Sequence, residues 1–164
     1  MDTQSIVMAF GSLMLMAAIA IYFWQKQRIN QNEAKLRFDR LGEAKGLTFS
    51  QYEFWGSGYA VGLDTSKQVL CYLTNIADKE DCTLVSIAEV VKCIVINDYR
   101  DVNGTRVIDQ IRLDFTFKGS RAHKRLLFYD REINLNFTNE LLVAEKWKTV
   151  ITSSISSSKL AEMC

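Results

Sequence analysis

The sequence predicts an α+β protein. An N-terminal transmembrane helix and stalk come first, then a strongly bent antiparallel β-sheet or partly open barrel, capped by a C-terminal amphipathic helix. Three stretches carry that expectation. Residues Ile6 to Trp24 contain no charge. From Arg106 to Lys118 apolar and polar residues alternate with the period of a half-solvated strand. Near the C-terminus Ala144, Trp147, Ile151 and Ile155 recur with the period of a helix. The resulting boundaries are an anchor over 1–25, a helical stalk over 26–46, a β domain with its closing helix over 47–156 and a flexible tail over 157–164.

The apolar run sets the first expectation. Roughly 19 residues rising 1.5 Å each span about 28 Å, close to the ~30 Å of a bilayer's hydrocarbon core. Ile6, Leu13 and Ile19 lie within it, and Tyr22 and Trp24 close it where an aromatic belt would sit. A cleaved signal peptide competes with this reading, but Met1–Ser5 has no basic residue and the apolar run continues through Ala18-Ile19-Ala20. A buried core helix also competes, although such helices seldom run this long without a polar face. Lys26, Arg28, Lys35 and Arg37 follow the run as membrane-surface charges, while the N-terminal flank has no Lys or Arg. The positive-inside rule then places a single-pass protein in the cell (inner) membrane, with its N-terminus outside and its C-terminal domain cytoplasmic.

Residues 25–45 read as a continuing helix with Ala34, Phe38 and Leu41 on one stripe, ended by Lys45 and Gly46. Beyond it the period shortens. Leu47–Phe54 is an aromatic strand candidate whose surroundings suggest core or a sheet edge able to accept a partner strand. Tyr59–Leu63 and Gln68–Leu73 flank Asp64-Thr-Ser-Lys67 as a hairpin, and Asn75–Asp81 reads as a polar loop. Thr83–Val85 is a brief strand, and Ser86-Ile-Ala-Glu89 matches a capping box. Val90–Ile96 is apolar on both faces, as a covered strand would be, and Asn103-Gly104 signals a hairpin. In the next strand Val107, Ile111, Leu113, Phe115 and Phe117 point one way and Arg106, Gln110, Arg112, Asp114, Thr116 and Lys118 the other. Arg125–Tyr129 follows. The last helix runs from about Asn139 to Ile155, with Thr138 as N-cap and Phe137 and Leu142 as a staple.

The order of hairpin, short strand with its Ser-Ile-Ala-Glu turn, long Asn-Gly hairpin, final strand and Trp147-bearing helix resembles a pleckstrin-homology (PH)-like domain. More specifically it is similar to the bacterial PH-like domains attached to membrane anchors. The resemblance covers Tyr59 to Ile155 and includes the phrase Tyr59-Ala-Val-Gly-Leu-Asp64. Family members that bind phosphoinositides carry several basic residues around the first hairpin loop. Here that loop has Lys67 alone, offset by Asp64. The fold's other use, as a protein-interaction scaffold, is what the resemblance implies for this chain.

Composition narrows the chemistry. A net charge of +1 over 164 residues argues against a dedicated nucleic-acid binder. Cys71, Cys82, Cys93 and Cys164 are scattered with a single histidine in the chain, so no metal or other cofactor is expected, and Cys71 and Cys93 read as buried thiols. No nucleophile–base pair or carboxylate pair stands out, so no catalytic residue is named. The remaining candidate site is a basic turn, Lys118, Arg121, His123, Lys124 and Arg125, suited to anionic lipid, phosphate or an acidic partner. The function expected is a non-enzymatic, membrane-anchored, cytoplasmic interaction module. It would serve as a scaffold or subunit of a membrane protein complex, with the bilayer and a partner protein as its contacts. The alternative is a sensor of anionic lipid or phosphate through residues 118–125.

Overall fold

The structure, a computed structural model, describes residues 14–16, 18–22, 33–56, 58–76, 79–119, 123–134 and 137–162. The chain divides into two compact units, Met1–Lys45 and Gly46–Cys164. In the first, residues 14–16 and 18–22 are helical, and residues 33–44 form helix α1, in which Phe38 is fully buried.

The membrane expectation is corrected by these helices. Among the described residues no helix is long and apolar enough to cross a membrane. Ile19 and Tyr22 are helical and exposed, whereas Ile6, Leu13, Trp24, Lys26 and Arg28 lie outside the described residues. Helix α1 carries Glu33, Lys35, Arg37, Asp39, Arg40 and Glu43. Those charges lie on the segment expected as the stalk; it is the absence of a long apolar helix among the described residues that overturns the anchor. A transmembrane helix, a single-pass topology and an inner-membrane location with the N-terminus outside are therefore not supported.

The described residues of the second unit form seven strands in two antiparallel sheets, not the single bent sheet expected. The first sheet is β1 (Gln51–Trp55), β2 (Tyr59–Asp64), β3 (Val69–Ile76) and β4 (Lys79–Ser86), in that order. A 3₁₀ turn, Ile87–Glu89, leads to the second sheet, β5 (Val90–Val102), β6 (Thr105–Phe117) and β7 (His123–Asp130), also in order. Helix α2 (Glu140–Glu162) packs on β5, β6, β7 and the 3₁₀ turn.

Alternation explains which faces meet. Leu63, Leu70 and Val85 from the first sheet, Ile87 from the 3₁₀ turn, and Ile111, Leu113, Phe115, Leu126 and Phe128 from the second sheet are buried in one core. Val143, Ala144, Trp147, Ile151 and Ile155 of α2 complete it. On β6 the buried set is Ile111, Leu113 and Phe115, while Val107 and Phe117 are half-buried. Asn103 and Gly104 have φ of 52° and 78°, the left-handed pair that a two-residue hairpin turn demands, and they join strands of 13 residues each.

Polar bonds tie the layers together. Trp55 Nε1 donates to the Phe128 carbonyl at 2.9 Å, with the two rings stacked at 4.5 Å. The Tyr72 hydroxyl donates to the Leu127 carbonyl. Glu53 on β1 accepts from Trp147 Nε1 at 2.9 Å and pairs with Lys146 Nζ at 2.9 Å, which fixes α2 to the first sheet.

Candidate interaction surface

The described part of the basic turn, Lys118 and residues 123–125, lies just after the end of β6 and at the start of β7. Strand β7 begins at His123, so His123 and Arg125 share one face and Lys124 takes the other. Lys124 Nζ donates to the Leu84 carbonyl on β4 at 2.5 Å. Arg125 lies 3.7 Å from the Asp114 carboxylate across the ladder. Lys118 follows the end of β6, its N–H donating to the Glu89 carbonyl at 2.8 Å. Arg121 lies outside the described residues. Neighbours in sequence were thus divided between two faces and partly engaged by the fold.

The first hairpin loop is likewise spent on itself. Asp64, 1% exposed, accepts from Thr48 N–H at 2.8 Å, Ser66 Oγ at 2.6 Å and Lys67 N–H at 2.9 Å. The Ser66 hydroxyl, followed by the backbone N–H groups of Thr48 and Lys67, holds its carboxyl down from 3.8 to about 2. Lys67 Nζ donates to the Gly46 carbonyl. The loop's one cation is therefore turned onto backbone.

The outer face of the second sheet carries a charged ladder. Arg112 pairs with Asp98 on β5 and receives support from Gln110 Oε1 at 2.8 Å, while its Nε stands 3.5 Å from Asp114. That last approach is an ion pair without hydrogen-bond geometry, since Arg112 Nε and Asp114 Oδ1 are both buried atoms lacking a hydrogen-bond partner. Nearer the hairpin tip Arg100 lies 3.2 Å and Arg131 3.7 Å from Asp109. Arg106 covers the Tyr99 ring at 4.8 Å.

Strand β5 is the feature that the sequence concealed. Val90–Ile96, apolar on both faces, reads as covered, yet β5 is an outer strand that pairs only with β6 among the described residues. Val91, Ile94, Tyr99 and Val102 are exposed along it. Val91 is the extra residue where the register shifts between Val90 and Lys92, and the pairing is then regular from Lys92 to Asp98, where it shifts again before Tyr99. Lys92, Ile94, Ile96 and Asp98 then line one face at alternate positions, a cation at one end and an anion at the other. The other outer strands are shorter, and two have carbonyls engaged by side chains: Leu84 on β4, and Leu127 and Phe128 on β7.

Among the described residues no group of three or more His, Cys, Asp or Glu side chains could hold a metal ion. Cys93 is buried against the core, and that burial pushes its thiol up to about 12. Comparison with known proteins returned nothing: no family model, curated protein or solved structure matches the chain.

Proposed function

We propose that the domain is a non-catalytic, PH-like protein-interaction module whose partner adds an extended strand along the open edge of β5. The observation that carries the reading is a 13-residue outer strand with Val91, Ile94, Tyr99 and Val102 exposed. Unpaired backbone groups on such an edge are a template for another chain, and exposed alternate side chains select which chain fits. The stripe Lys92-Ile94-Ile96-Asp98 defines the partner's chemistry. It is an extended segment with two apolar residues at alternate positions and an acidic residue beside Lys92, the Asp98 carboxylate being already paired with Arg112. Charges at both ends also discourage indiscriminate strand pairing, because a mismatched register places like charges together. The order of strands and the closing helix supports the PH-like reading, though a fold does not assign a function by itself.

A photo-reactive residue placed at Val91 or Ile94 of the full chain, with Leu142 as an exposed control, tests the proposal. The expected result is one adduct from positions 91 and 94 that is absent from position 142. Its attachment point should map to an extended segment with the pattern above, and Lys92→Glu should abolish it. Equal adducts from all three positions, no adduct, or attachment to a second copy of this chain would overturn the reading.

A further inference from the structure

Cys71 and Cys82 occupy adjacent strands of the first sheet. The register sets Cys71 opposite Leu84 and Cys82 opposite Leu73, which makes the two cysteines diagonal neighbours on one face of the β3–β4 pair. Their Sγ atoms are 3.2 Å apart. Both are thiols; Cys71 is fully buried and Cys82 half-buried. A disulfide bond is about 2.0 Å long, so closure requires about 1 Å of side-chain movement. Cys93, the third described thiol, lies on β5 in the other sheet.

We propose that Cys71 and Cys82 are a redox modification site, forming a reversible disulfide that ties the outer strand β4 to β3. The oxidant is a low-molecular-weight disulfide of the oxidised-glutathione class. The more accessible Cys82 loses its proton and attacks one sulfur of that molecule, forming a mixed disulfide and releasing the first glutathione thiol. Cys71 then loses its proton and attacks the Cys82 sulfur, which breaks the mixed disulfide and releases the second thiol. Two protein thiols are oxidised by two electrons, and one small disulfide is reduced to two thiols that carry the two protons. The bridge closes a short loop around the β3–β4 connection, so it restricts separation of β4 more than it changes the folded sheet.

The full chain, held in oxidised or reduced glutathione under native conditions, is quenched with an alkylating agent and digested with trypsin without reduction. Cleavage at Lys79 separates the peptides of Cys71 and Cys82 unless a disulfide joins them. The expected result is a linked pair of peptides in oxidised buffer, lost on reduction, absent in Cys82→Ser and retained in Cys93→Ser. The variant is made at Cys82 because Cys71 is fully buried, and an unchanged circular dichroism spectrum shows that it folds. Cys71 remaining a thiol in every buffer, with Cys82 a stable glutathione adduct or joined to a second chain, would overturn the proposal. So would a bridge that forms only after denaturation.

Discussion

Asp64 organises the start of the domain by accepting three hydrogen bonds from two segments, residue 48 on one side and residues 66 and 67 on the other. Its lowered pKa has a signed consequence. The folded carboxyl titrates at about 2 and the unfolded one near 3.8, so its contribution is complete above about pH 4 and is lost as the pH falls towards 2. Asp64→Ala is expected to lose about 2–3 kcal/mol at neutral pH. Urea unfolding between pH 2 and 7 checks both points: the variant should be less stable, with a shallower acid limb. Gln68 presents the opposite case. It holds φ of 53° at the end of the same loop while its carbonyl accepts from Ile87 N–H at 2.8 Å. A left-handed conformation costs a non-glycine residue about 1–2 kcal/mol, partly offset by the extra backbone freedom that glycine loses on folding. Gln68→Gly should therefore raise stability by about 0.5–1 kcal/mol, seen as a higher urea midpoint at unchanged slope.

Helix α2 shows where sequence patterns bind tightly to structure and where they do not. Its core stripe was legible because Val143, Ala144, Trp147, Ile151 and Ile155 repeat with the helical period, and all are buried. Its ends were not. The expected staple fails: Leu142 is 74% exposed, and Phe137 instead meets the Tyr129 ring edge-on at 5.2 Å. Thr138 does not open the helix, because Val143 N–H bonds to the Asn139 carbonyl and the Glu140 carboxylate reaches back to Thr138 N–H at 2.7 Å. The serine-rich end, read as a tail, stays helical to Glu162. There Ser154, Ser156 and Ser157 hydroxyls bond to carbonyls four residues earlier, a local option that composition does not reveal. The burial contrast predicts a contrast in stability. Trp147→Ala should cost about 3–5 kcal/mol, and Leu142→Gln should stay within about 0.5 kcal/mol, both read from thermal or urea unfolding. The Asn103-Gly104 turn was legible for a different reason: a two-residue hairpin admits few residue pairs. The 3₁₀ turn at Ile87 was also marked by sequence, although Ser86 makes no side-chain capping bond there.

At the scale of the Gly46–Cys164 unit, the two sheets and α2 close around one core, which leaves the outer strands at the ends of each sheet. Which edge remains open depends on strand order, and strand order is a long-range property that no local period encodes. Within residues 118–125, the neighbours His123, Lys124 and Arg125 alternate across the two faces of β7. Strand order is why β5 looked covered, its apolar residues on both faces giving no sign that among the described residues one neighbour alone pairs with it. The central claim is that the free edge of β5 receives a partner strand, and backbone hydrogen exchange on the isolated full chain at low concentration tests it most directly. A one-sided pairing predicts alternation over residues 92–98, with amides directed at β6 exchanging slowly and the intervening amides exchanging at near-unprotected rates. Those intervening amides should become slow when the segment identified by cross-linking at positions 91 and 94 is added. Uniformly slow exchange along β5 in the isolated chain, or no change on adding that segment, would contradict the account.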